Sequence, residues 1–456
     1  MKSKWLSVGI ILLLIGTNII PASAQETEKS QQASRGNWLY VGGSGPGNYT
    51  KIQDAIDNAS DGDTVFVYDD SSPYIENIKI YKEINLLGED KNSTEIECFD
   101  PDVGLIDITT ADFITISGFT LSKSGNGYLS AGLQIYSSFN TISGNIFEDN
   151  EIGISLYTPC HSCKIYDNIF QNNINGIANQ DSSFNDIYNN SFLSNTIGIV
   201  IFDGIENIIA NNTFMNGDWG ILLAGNSNKV VDNVIISNGA RIEISDCSNN
   251  EIFRNNIRLS SHYGIRVPFK GENNKIKNNS LQQNWCGILI GWYYNLLEKN
   301  EIIDYWGCGI AVFGSNNEIH FNQIKDNKGV GIYITGSNNS ISYNAIEKNT
   351  KGGVYLSGVS RFPGDCNYNK IMFNNFIKNN GFFLYSFKER RNKQNVWDNN
   401  YWDSLMGDVK IIIGRLKIVL YSWYMDKIRY EIAIYARGLN FDRNPTQEPY
   451  DIPGVK

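Results

Sequence analysis

Along most of the chain one phrase of polar and apolar positions returns: Asn, any residue, an Ile-like residue, two further positions, a second Asn, and then Ile, Phe or Leu. Copies begin at Asn140, Asn185, Asn207, Asn228, Asn250, Asn274, Asn295, Asn317, Asn339, Asn369 and Asn395, and Cys163 takes the first Asn position in one more. The usual step is about 22 residues, a period that marks stacked repeats. A second strip keeps the same beat, a Gly before an apolar-any-apolar triplet, at Gly132, Gly153, Gly176, Gly198, Gly220, Gly264, Gly287, Gly309, Gly331 and Gly353. Arg241 stands where one of these glycines is due. Each repeat therefore holds three short apolar segments, such as Val230 with Val231, Val234 with Ile235, and Ile242 with Ile244. They lack the length and turn pairs of hairpins. A coiling chain lets each pair in parallel with its equivalent one repeat on, and parallel connections are overwhelmingly right-handed. The pattern predicts an all-β fold: a right-handed, single-stranded parallel β-helix of about 22-residue coils. The second Asn of each copy is expected to point inward, where stacked amides satisfy one another.

A solenoid end exposes apolar core and unpaired edges, so both ends need covers. Thr50 to Ala59 puts Ile52, Ala55, Ile56 and Ala59 on one helical face, and Thr50 with Gln53 has the spacing of a capping box. This short helix is the expected N-terminal plug, within a cap and first strand at 37–70. Irregular coils are expected between Tyr74 and Leu121, regular ones over 130–404, and the helix proper over 37–404. The tail, 405–456, carries short apolar strands at Ile411 to Ile413, Ile418 to Leu420 and Ile432 to Ile434, then an extended Pro-containing end; it reads as a C-terminal cap. At the other end Lys2 and Lys4, the apolar run Leu6 to Ile15 and Ala22-Ser23-Ala24 make residues 1–24 a signal peptide, with 25–36 as a linker. An uncleaved membrane anchor is the alternative, and either places the body outside the cytoplasm, extracellular or at the cell surface. Seven sequons, at Asn48, Asn58, Asn92, Asn189, Asn211, Asn278 and Asn338, suit an exported glycoprotein, although an Asn-rich chain produces some by chance.

Composition agrees. Of 456 residues, 59 are Asn and 42 Gly, poor helix formers that favour turns. A net charge of -10 and the lack of a visible basic patch argue against nucleic acid. Apart from the N-terminal run no segment is long and apolar enough to span a bilayer, so membrane contact is expected only through an uncleaved signal or indirect attachment.

Tyr49-Thr50-Lys51-Ile52-Gln53-Asp54-Ala55-Ile56, then Asp61-Gly62-Asp63-Thr64-Val65, the Asn-Ile repeats and the closing Asn399-Asn400-Tyr401-Trp402 resemble the NosD-like right-handed parallel β-helix proteins common among secreted and surface proteins of archaea. The tail, Asn440-Phe441-Asp442 with Glu448-Pro449-Tyr450-Asp451-Ile452, is similar to those of archaeal members. The resemblance covers nearly the whole chain beyond the leader. It implies the fold and, across the wider group, either carbohydrate binding or cleavage, or an accessory role in copper-site assembly.

The residues weigh these options unequally. Copper needs soft or imidazole ligands gathered in space. The chain has three His, at 161, 262 and 320, and five Met, so Cys160, His161 and Cys163 are the one local cluster, open to reading as a soft-metal site, a local disulfide or buried thiols. Cys286 and Cys308 each precede an anchor Gly one coil apart, so they should stack about 4.8 Å apart, as a disulfide or as a pair of thiols. Ahead of the anchor glycines one edge collects Asp218, Trp219, His262, Tyr263, Trp285, Tyr305 and Trp306. Rings spaced by coils can stack on sugar faces, which makes Asp218, Trp219, His262, Tyr263, Trp285 and Trp306 the candidate ligand-binding residues and a polysaccharide or cell-envelope glycan the candidate partner. The alternatives are packing of side loops on the coils and a purely architectural surface protein or adhesin. On the next strand Glu243 and Arg266 should be neighbours, a candidate catalytic pair or a surface ion pair. Asp203, Asp218, Asp246 and Asp304 lie near without a spacing that singles out two for hydrolysis. The paired Asp and Gly-His-Gly of pectinase-type enzymes and the Asp-Pro-His-Asp of alginate epimerases are missing. No cofactor is called for; an acidic polysaccharide would need Ca²⁺, or Arg241 and Arg266, against the chain's charge.

Overall fold

In the computed structural model, residues 36–452 are described apart from 126–129, 237–238, 240, 260, 358–365, 380–384, 387–394, 404–409, 422–430, 443–445 and 447. The signal peptide expected at 1–24 lies outside the described residues, as does nearly all of the linker. The rest is a parallel β-solenoid of about 15 turns with almost no helix. One coil shows the plan: Lys229–Val231 lies in sheet A, Val234–Ile236 in sheet B and Ile242–Ile244 in sheet C. Each strand pairs in parallel with its equivalents, Val230 between Ile209 and Ile252, Ile235 between Phe214 and Ile257, Ile242 between Ile221 and Ile265. Sixteen strands stack in sheet A, 15 in B and 14 in C.

Short strands give one inward residue in A and B and two in C, so the core is a set of columns. Ile209, Val230 and Ile252 are fully buried in one column, and in another Phe147, Phe170, Phe192 and Phe214 stack at 4.9, 4.7 and 4.7 Å with planes within 8°. Most corners are turned by a left-handed residue just ahead of an inward Asn, as at Asp232 (φ 56), Asn278 (φ 54) and Lys299 (φ 55). Asn and Asp tolerate that conformation best after Gly, which explains much of the composition. The inward asparagines form more ladders than expected. The second Asn of each copy stacks as anticipated, Asn212 N donating to Asn233 Oδ1 at 2.9 Å, but so does the first, Asn207 N to Asn228 Oδ1 at 2.9 Å. A third ladder runs through Asn150, Asn173 and Asn195 between B and C. Cys163 fills its rung of the first ladder, its N–H donating to Asn185 Oδ1 at 2.9 Å. The glycine strip is steric. A Cβ at Gly198 would stand 2.6 Å from both the Gly220 carbonyl oxygen and the Phe214 ring. At Gly220 the nearest atom would be 3.2 Å away, and it is the next coil that carries Arg241.

Helix α1, Ile52–Asn58, connects the first two A strands, Trp38–Val41 and Thr64–Val67, which pair with each other, and buries Ile52, Ala55 and Ile56. The capping box does not form. Glu76, from the first full coil, takes over by accepting from Ile52 N at 2.9 Å and Gln53 N at 3.1 Å, and Lys82 Nζ donates to the carbonyls of Ile56, Asp57 and Ala59 at the other end. Gln53 turns to Asp57 and the Lys79 carbonyl instead. Between Tyr74 and Leu121 the loops vary in length, yet the strands keep the three-sheet course through Ile78–Ile80, Asn85–Gly88 and Glu95–Glu97. At the C-terminal end Trp402 stacks on Phe376 at 4.2 Å, and Lys410–Tyr421 pairs antiparallel with Glu431–Asp442. Tyr450 then returns to the coils, its backbone N donating to Asn375 Oδ1 and its hydroxyl to the Asn399 carbonyl. No helix among the described residues is long and apolar enough to cross a membrane.

Candidate functional site

Sheet C carries the residues that break the beat. Its middle outward column runs Leu222, Glu243, Arg266, Leu289 in register across four coils. Two apolar neighbours and the flanking side chains shield the charges, so Glu243 is only 6% exposed. Its Oε2 accepts from Arg266 Nη1 at 3.0 Å and lies 3.3 Å from Arg241 Nε. The expected pair of strand neighbours is thus a half-buried triad of two guanidiniums on one carboxylate, with Arg241 side-chain exposure at 11% and Arg266 at 28%. Nε of both arginines is buried without a hydrogen-bond partner. Burial pulls the Arg241 pKa down; Glu243 opposes that shift and Arg266 adds to it.

The aromatic residues line the edge of this column. Arg241 lies over the Trp219 ring, 3.6 Å from its centroid, and Arg266 is 6.0 Å from that of Tyr263. Tyr263 meets Trp285 edge to face at 5.4 Å. Trp285 is 51% exposed and Trp306 69%, one coil further, with Lys328 Nζ 3.4 Å from its centroid. Their coils are bonded directly: Trp285 N donates to the His262 carbonyl and Gly307 N to that of Trp285. Asp218 and His262 are exposed beside Trp219 and Tyr263. Tyr305 is not on the edge. It is fully buried and fills a rung of the third ladder, receiving Asn284 Nδ2 at 2.7 Å, with its own N–H on Asn327 Oδ1. Beneath Trp219 a void of about 10 Å³ has room for one water at most, so a ligand of this face lies on it rather than in it. A shallow depression of about 220 Å³, lined by Glu251, Phe253, Lys275, Lys277 and Asn278, lies on sheet A, away from the strip.

Two carboxylates facing a shared bond are not brought together here. Asp203, Asp246 and Asp304 occupy left-handed corners (φ 55, 55 and 60), and Glu243 is held by its arginines. Cys160 and Cys163 are buried thiols with sulfurs 3.3 Å apart, while His161 Nδ1 accepts from Ser183 N at 3.4 Å. Cys286 and Cys308 are stacked thiols, sulfurs 2.9 Å apart; burial raises Cys286, and its hydrogen bond to Cys308 lowers the latter. One feature escaped sequence reasoning: Phe113, Phe139 and Phe184 form a second exposed aromatic row, with Phe113 stacked on Phe139 at 5.2 Å. Its signal was the position itself, the left-handed corner that Phe139 and Phe184 occupy directly before Asn140 and Asn185.

Two family descriptions match this chain: the periplasmic copper-binding protein NosD over residues 56–244, and the right-handed β-helix region over 219–362 and 269–407. With the parallel solenoid, they support a right-handed β-helix that is similar to NosD over residues 56–244. Among solved structures it is similar to the A-module of the Azotobacter vinelandii mannuronan C-5 epimerase AlgE6, at 14% identity over 72% of this chain and 94% of that one (TM-score 0.38). It is also similar to a PL6 alginate lyase in complex with trisaccharide, at 15% over 76% and 87% (TM-score 0.45), and to the catalytic domain of a GH87 α-1,3-glucanase in complex with tetrasaccharides, at 11% over 79% and 67% (TM-score 0.41). The likeness is one of coil architecture. No curated relative matches the sequence. Among the described residues no three His, Cys, Asp or Glu side chains gather as a metal site, and the Cys160 and Cys163 thiols are buried in the core.

Proposed function

We propose that this protein is an exported, archaeal-type surface β-helix that binds polysaccharide along the outer face of sheet C. The observation that carries the reading is the pair of half-exposed indoles, Trp285 and Trp306, held one coil apart beside Tyr263, Trp219 and the Arg-Glu-Arg triad. Large exposed rings on a rigid sheet cost little entropy to present, and coil spacing suits a linear chain that crosses several coils. In this reading Arg266 is a binding group and Glu243 holds it in place, and neither is catalytic. Asn189, Asn211, Asn278 and Asn338 stand exposed at left-handed corners, open to glycan attachment. A glycan array with the full chain and its Trp285→Ala, Trp306→Ala double variant tests the proposal. Binding that the double variant loses supports it; a chain that binds no glycan, or a variant that binds as well as the parent, refutes it.

A further inference from the structure

The strip is cationic where it is aromatic. Arg241 covers the Trp219 ring, Lys328 the Trp306 ring, and Arg266 approaches Tyr263, so rings that would stack on a neutral sugar already carry positive charge on a face. At the centre the count is uneven, two guanidiniums to one carboxylate, in a site where Glu243 is almost wholly buried. Glu243 Oε2 serves both arginines, by a hydrogen bond from Arg266 Nη1 and an ion pair at 3.3 Å with Arg241 Nε, and neither buried Nε makes a hydrogen bond. Half-buried charge without a counter-charge is unfavourable, and a guanidinium fork is built to receive a planar carboxylate through two parallel hydrogen bonds. Burial lowers the Arg241 pKa, and the neighbouring Arg266 adds to that shift against the pull of Glu243.

We infer that the ligand is an acidic polysaccharide, with a uronate carboxylate received between Arg241 and Arg266 while its sugar rings lie along Trp285 and Trp306. This rests on the binding reading above and names the class of ligand. Glu243 is a positioning residue: it holds both guanidiniums toward the outer face and competes with the incoming carboxylate for them. The chain's net charge of -10 does not oppose this, because beyond about 8 Å physiological salt screens most of that repulsion and the local field decides.

The test is calorimetry on the full chain with hexagalacturonate and with its fully methyl-esterified form, in EDTA so that calcium cannot bridge the acid. The two probes share ring faces and hydroxyls and differ in charge. The acid form is expected to bind at least about tenfold more tightly, the gain of one charge-assisted hydrogen bond. Arg266→Gln should shrink the acid-over-ester ratio toward one. Trp285→Ala should weaken both forms. Glu243→Gln should tighten the acid form, because it frees the guanidiniums, whereas a purely structural Glu243 would give a weaker or unfolded protein. Equal affinity for acid and ester overturns the acidic ligand and leaves the strip standing. Weaker acid binding in Glu243→Gln, with an unchanged thermal melt, also overturns it. Binding of neither form overturns the strip along with it.

Discussion

Asn212 tests whether the inward asparagines hold the solenoid together. Its side chain is fully buried at the corner between sheets A and B. Nδ2 donates to the Ile187 carbonyl at 2.9 Å and to Asn233 Oδ1 at 3.1 Å, while Oδ1 accepts from Asn190 N at 2.9 Å and Asn190 Nδ2 at 3.1 Å. Asn190 Nδ2 keeps other acceptors, the carbonyls of Ile165 and Tyr188, and Asn233 Oδ1 keeps the Asn212 backbone N–H. Asn212→Ala therefore strands the Asn190 N–H in a dry corner, while the Ile187 carbonyl keeps its ladder bond to the neighbouring strand of sheet A. At about 1–3 kcal/mol for a buried polar group left unpaired, the loss is about 1–3 kcal/mol. The control is the adjacent Asn211→Gly, exposed and left-handed at φ 53, where Gly is at ease and the change should stay within about 0.5 kcal/mol. Urea unfolding followed by circular dichroism reads both. If Asn212→Ala unfolds at the same urea concentration as Asn211→Gly, the ladders are decoration and the explanation of the composition is wrong.

Gly198→Ala should destabilise by several kcal/mol or block folding, since its methyl would stand 2.6 Å from a backbone oxygen, whereas Gly220→Ala should cost distinctly less; thermal melts compare them. Asp107 has a buried, unpartnered Oδ1 and a pKa raised by burial against the pull of Lys79. Its protonated form is the one the fold prefers, so its contribution is most favourable below the ordinary carboxyl range and is lost as pH rises through the raised folded value. Asp107→Asn should therefore raise the melting temperature at pH 7 more than at pH 4, and an equal shift at both would contradict this. Oxidised glutathione should take two electrons and two protons from Cys286 and Cys308 to close a disulfide between neighbouring coils; peptide mass spectrometry that finds both alkylated after the treatment would count against it. Glu76→Ala should loosen helix α1 by about 1 kcal/mol, seen as faster amide exchange at Ile52 and Gln53.

The coils were legible because a solenoid repeats its physics: each strand meets its own equivalent, so the spacing of Ile and Phe is the register. Glu243 beside Arg266 followed from counting alone. What counting misses is depth. Tyr305 stands beside the edge aromatic Trp306 in the chain but takes the rung between Asn284 and Asn327, because adjacent residues of a strand edge face opposite ways. Arg241 read as a missing Gly, and its stacking on Trp219 depends on a side-chain path that no period encodes. The cap of α1 went to Glu76 because a partner from the next coil reaches both N–H groups, while Gln53 is drawn to Asp57 and Lys79.

Where a sugar lies on the coils is the most direct test of the binding face. A crystal structure of the full chain with hexagalacturonate should place pyranose rings against Trp285 and Trp306 and a carboxylate within hydrogen-bonding distance of Arg241 or Arg266. Density for the ligand along Phe113, Phe139 and Phe184 instead, or over the depression at Glu251 and Lys275, would contradict it.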